Sequence, residues 1–128
     1  MKRFFLMMAF IFTAGIACAA NQPKLDRKVF RHGETFLDFT NATKGVYSYS
    51  EESTDGNDVI TRSFTWSAKL LAKKTNYSDG PIYEWQITIK VSMSYGTKNL
   101  TFYIKAYENG SLKGASALCA DGTNWEIL

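Results

Sequence analysis

The chain has one histidine, His32, and two cysteines, Cys18 and Cys119. A lone histidine excludes histidine-rich metal centres and leaves no second imidazole for a relay. The one nucleophilic pairing open to the chain is a dyad of His32 with Cys119. No glycine-rich phosphate loop, G-x-S-x-G elbow or H-E-x-x-H helix occurs either. Absent too is any apolar run long enough to cross a bilayer as a helix, since about 20 residues are needed and Phe4–Ile16 is the longest stretch. Lysine and arginine form no cluster that would track a phosphate backbone, so nucleic acid is not an expected partner. No cofactor and no metal is expected, and two carboxylates hydrolysing sugars would be the remaining route to an enzyme.

The short apolar run follows Lys2-Arg3 and ends in Ala17-Cys18-Ala19-Ala20 before the polar Asn21-Gln22-Pro23. A basic start, a short apolar stretch and an A-x-A exit read as a secretory signal peptide over residues 1–20. Cleavage after Ala19 or Ala20 then leaves a single domain, residues 21–128, in the periplasm or outside the cell. The lesser alternative is a lipoprotein acylated on Cys18, the only route by which this reading reaches a membrane. It lacks the usual leucine three residues earlier, where Gly15 stands.

Removing the leader also changes the balance of charge. Two of the 15 basic residues lie within it, leaving 13 against 12 acidic ones, so the working protein is nearly neutral. Cys119 is left alone, and no internal disulfide can form. Such a domain must stand on packing, and its aromatic residues supply large apolar areas for that.

What the sequence does contain is alternation. Tyr83, Trp85, Ile87, Ile89, Val91, Met93 and Tyr95 alternate with polar residues, the period of two of a strand with one wet and one buried face. Phe64, Trp66, Ala68 and Leu70 precede it with the same period, and Leu100, Phe102, Ile104 and Ala106 follow. Turn signals at Gly96-Thr97 and Asn109-Gly110 predict hairpins. Together they predict a four-stranded antiparallel meander over residues 58–121. Closing at these dipeptides sets Met93 opposite Leu100, Val91 opposite Phe102, Ile104 opposite Ala115 and Leu100 opposite Cys119. Pairing Leu70 with Tyr83 sets Phe64 opposite Ile89 and leaves Arg62 on the apolar face opposite Val91.

Further strands are expected at Thr35–Asn41, at Lys44–Ser50 and around Trp125 and Ile127, with Leu25–His32 a strand or a short helix. Glu51–Asn57 is expected to be a turn, its Asp55-Gly56-Asn57-Asp58 lacking the twelve-residue calcium-loop pattern. Seven to eight short strands in one domain make the fold all-β, an antiparallel sandwich or a small closed barrel.

Candidate binding residues are the aromatics that break the hydroxyl-rich outer face. Tyr103 and Tyr107 flank Lys105 there, and Tyr77 falls in a loop. Exposed tyrosines combine a large apolar body, a polar tip and few rotamers to freeze, which suits protein or sugar recognition. The expected function is a non-enzymatic exported binding module for a protein or glycan partner. A small barrel carrying an apolar ligand among Phe64, Trp66, Trp85 and Phe102 is the alternative, and a carboxylate-based hydrolase comes third. Four sequons, at Asn41, Asn76, Asn99 and Asn109, lie in turns or on the wet face, where glycans can sit.

Overall fold

The computed structural model describes residues 21–75, 78 and 80–128. The expected leader with Cys18, and Asn76 and Tyr77, lie outside the described residues. Eight antiparallel strands run in chain order around a closed barrel. They are β1 (Val29–His32), β2 (Thr35–Phe39), β3 (Lys44–Ser53), β4 (Gly56–Lys74), β5 (Ile82–Met93), β6 (Gly96–Tyr107), β7 (Leu112–Cys119) and β8 (Asn124–Ile127). Phe30 and Arg31 of β1 pair with Ile127 and Glu126 of β8, which closes the ring. Closure settles the choice between sandwich and barrel.

The alternating face became the barrel interior. Trp85, Ile87, Ile89 and Val91 of β5 are buried, as are Phe102, Ile104 and Ala106 of β6. Aromatic rings fill the centre edge to face. Phe30 packs on Phe39 at 4.8 Å and on Phe102 at 5.3 Å, and Phe39 continues to Phe64 and Trp66. Phe102 meets Trp125 at 5.2 Å. Such pairs add roughly 0.5–1.5 kcal/mol each beyond the area they bury. Hydroxyls, amides and charges take the outer face, the inverse of a membrane-spanning barrel, whose outward side is apolar.

The chain before β1 is tied to the β6–β7 turn. Asn21 donates its backbone N–H to Glu108 and Lys24 donates to Gly110, while Arg27 donates to Phe39. Between these ties Leu25, fully buried, joins the core.

The meander formed with its faces as expected but its registers shifted. The β5–β6 hairpin pairs Met93 with Gly96, and Val91, Ile89 and Ile87 face Lys98, Leu100 and Phe102. The two-residue loop is therefore Ser94-Tyr95, and Gly96 closes it with φ 137° instead of opening it. The next loop is one residue longer than expected, because Tyr107 donates its N–H to Ser111 across Glu108-Asn109-Gly110, with Gly110 at φ 93°. Between β4 and β5, Phe64 faces Val91 and Leu70 faces Trp85, each two residues from expectation. Arg62 faces Tyr47 of β3 instead of Val91. The β4–β5 and β5–β6 slips are even-numbered, so their side chains keep the expected faces, whereas the one-residue shift at the β6–β7 turn sets Leu112 opposite buried Ala106 and Lys113 opposite Lys105.

Two further departures bear on function. Beyond Ser48, β3 pairs only with β4, and before Phe64, β4 pairs only with β3. The segment expected as a turn, Glu51–Asn57, is instead the tip of a two-stranded ribbon, with Glu51 opposite Asp58 and Ser53 opposite Gly56. Its residues from Ser50 to Val59 are exposed. Bulges interrupt the register at Leu71 in β4 and at Gly114–Ala117 in β7.

Candidate functional site

The β7 bulge shapes the outer surface. Tyr103 pairs with Leu118, yet Lys105, two residues on, pairs with Lys113. One residue of β6, Ile104, thus spans four of β7. Gly114 turns out of the ladder with φ 94°, a conformation open to glycine without a Cβ penalty. Ser116 and Ala117 pair instead with Glu126 and Trp125 of β8. Where β7 leaves β6, a recess of about 490 Å³ opens on the outside of the barrel.

Its walls come from four strands. Tyr103 and Lys105 of β6 stand beside Leu118 and Lys113 of β7, with Glu84 of β5 and Leu71 of β4 opposite. Leu71 faces outward because the bulge there shifts the ladder between Leu70 and Ala72. Tyr103 is 38% exposed, Leu118 46% and Leu71 47%. Ser116 and Asn124 supply a hydroxyl and an amide at the rim. Trp85 lines the recess from the barrel side, and its indole Nε1 is buried without a hydrogen-bond partner among the described residues.

The charges are arranged in a row across the sheet. Glu84 faces Lys105, and Lys105 faces Lys113. The Glu84 carboxylate, however, pairs with Lys74 at 3.1 Å. Lys105 makes no ion pair among the described residues. Lys113 places its ammonium 5.9 Å from the centre of the Tyr107 ring.

Of the residues singled out from sequence, Tyr103 and Lys105 meet in the recess. Tyr107, half-buried, lies outside its walls beneath Lys113, and Tyr77 lies outside the described residues. Leu118 falls on the outer face by the same alternation as Tyr103, whereas Leu71 and Lys113 were not foreseen. For Lys113 the signal was Gly114, since glycine inside a strand pattern marks a bulge. A second depression, about 680 Å³, runs over the hydroxyl-rich strands by Ser63, Thr65, Lys90 and Ser92. Its one aromatic, Phe64, is buried, so it offers no ring to a partner.

His32 and Cys119 have other partners than each other. His32 Nδ1 donates to the Asn124 carbonyl at 3.2 Å, and its ring stacks on Trp125 at 5.6 Å. The thiol is buried. Thr123 donates its hydroxyl to Asp121 at 2.6 Å and its backbone N–H at 2.9 Å, while Trp125 Nε1 donates to the same hydroxyl oxygen at 3.0 Å. The Thr123 hydroxyl above all, then its N–H and the Cys119 thiol, hold the Asp121 carboxyl below its ordinary value. This network fixes the β7–β8 turn.

The described residues define an eight-stranded antiparallel barrel with a filled interior and a recessed outer face. Comparison with protein-family models, with curated proteins and with solved structures finds no match.

Proposed function

We propose that the protein is an exported, non-enzymatic binding module that recognises a protein or glycan partner through the recess on the outer face of β4–β7. One observation carries the reading: a half-exposed Tyr103, paired with Leu118 and facing a recess whose other wall holds Leu71, stands beside an ammonium, Lys105, that has no counter-ion among the described residues. An aromatic anchor with an adjacent charge in a concave patch is the composition that carries most binding energy in recognition sites. The interior offers no comparable surface, because the protein's own rings pack through it. Export rests on the leader-like pattern of residues 1–20.

The test is selective loss of binding. Immobilised wild type, Tyr103→Ala and Lys105→Ala are offered a glycan panel and the proteins of the secreted fraction, with Tm recorded for each. Tyr103→Ala is expected to weaken the captured partner by about 2 kcal/mol while Tm stays nearly constant. A partner held equally well by both variants, or a variant that melts far below wild type, refutes the assignment of the recess.

A further inference from the structure

We infer that the ligand of the recess is a carboxylated saccharide, an inference that rests on the binding reading above and narrows it. The charge row supplies the first half of the argument. Lys105 and Lys113 stand directly opposite each other on adjacent strands, an arrangement in which like charges destabilise the sheet. The one carboxylate in the row, Glu84, is turned to Lys74. Lys105, with no counter-ion among the described residues, is the ammonium that an anion in the recess would meet.

Shape and surface supply the second half. Tyr103 and Leu118 are a cross-strand pair that makes an apolar wall of the kind the C–H face of a sugar ring covers, with Leu71 on the other side of the recess. Ser116 and Asn124 at the rim offer hydrogen-bond donors and acceptors to ring hydroxyls. The recess, about 490 Å³, falls within the size range of small-ligand sites. An acidic peptide carries the same carboxylate without a flat C–H face to lay on the tyrosine, and a neutral sugar leaves Lys105 without a counter-ion.

The experiment titrates the isotopically labelled exported chain with trigalacturonate, with its fully methyl-esterified counterpart and with a polyglutamate peptide, following the amide signals of Tyr103, Lys105 and Leu118. The acid is expected to bind about tenfold more tightly than the ester, one charge contact at a partly exposed site. That preference should shrink as salt is raised. Lys105→Gln should erase the preference with Tm unchanged, and Tyr103→Ala should weaken acid and ester alike. Equal binding of acid and ester at these signals overturns the carboxylate and leaves the binding module standing. Tighter binding of the peptide overturns the saccharide. If none of the three moves the recess signals the inference is refuted outright, while the wider reading still answers to the glycan panel and secreted fraction.

Discussion

Gly45 is where the core leaves no room for one more carbon. It lies between Phe39 of β2 and Phe64 of β4 in the ladder. A methyl group built on it runs into Phe64 Cζ and the Asp38 backbone carbonyl, and sits 2.7 Å from Phe64 Cε1. The ring has little freedom to retreat, because Phe39 packs against it at 5.3 Å. Overpacking of this kind costs about 1–3 kcal/mol. The carbonyl belongs to backbone, so relief there also weakens a ladder hydrogen bond, about 1 kcal/mol more. Gly45→Ala should therefore destabilise the barrel by about 2–4 kcal/mol, which for a domain of this size lowers Tm by about 10–25 °C. Thermal unfolding followed by tryptophan fluorescence, with urea midpoints alongside, measures it. Gly33→Ala is the control: nothing lies within 4 Å of its added carbon, and only its φ of 63° is strained, at about 1–2 kcal/mol. Phe64→Leu should make the double variant less unstable than the two single losses summed. A Gly45→Ala protein melting within about 3 °C of wild type, or strict additivity with Phe64→Leu, would refute the reasoning.

Tyr83→Phe should be neutral or stabilising by up to about 1 kcal/mol, because its hydroxyl is buried with no hydrogen-bond partner among the described residues; a loss of that size in urea unfolding would count against this picture. The Asp121 carboxyl is held below its ordinary 3.8 by Thr123 and Cys119, so its contribution is complete above that value and fades as pH falls through the lower folded one. Asp121→Asn should accordingly flatten the acid limb of the stability profile, and an unchanged limb would dissociate the network from acid unfolding. Finally, the intact mass of the exported chain should begin at Ala20 or Asn21, whereas an acylated Cys18 at its start would replace a secreted protein with a membrane-tethered one.

Which side of each strand faces the core was legible because the side-chain period is two and survives any even slip. Val91 is buried whether it faces Phe102 or Lys98. Register was not, because a glycine beside a turn serves either inside the loop or at its closing residue: Gly96 takes the second role, and Gly110 stays inside a loop that gains Glu108. Tyr103 and Lys105 could be picked out as outward residues by alternation alone. So could their neighbour Leu118, but Leu71 could not, since it owes its position to a bulge that interrupts the period. The ribbon was read as a turn for a related reason: Glu51, Glu52, Asp55 and Asn57 are poor strand formers, and in a sheet with no buried face there is no apolar alternation to betray it.

That ribbon has a consequence for how copies of the protein behave toward one another. A barrel removes strand edges by closing on itself, but β3 beyond Ser48 and β4 before Phe64 run outside the closure, leaving backbone groups on both flanks open to a new strand. Val59, 70% exposed, adds an apolar invitation. Against this stand Glu51, Glu52, Asp55 and Asp58, with no lysine or arginine from Gly45 to Thr61. Two ribbons approaching edge to edge bring eight carboxylates together, four from each, and repel. Negative charge here acts as a gatekeeper against chain-to-chain zipping, and amide substitutions that remove it take the gatekeeper away.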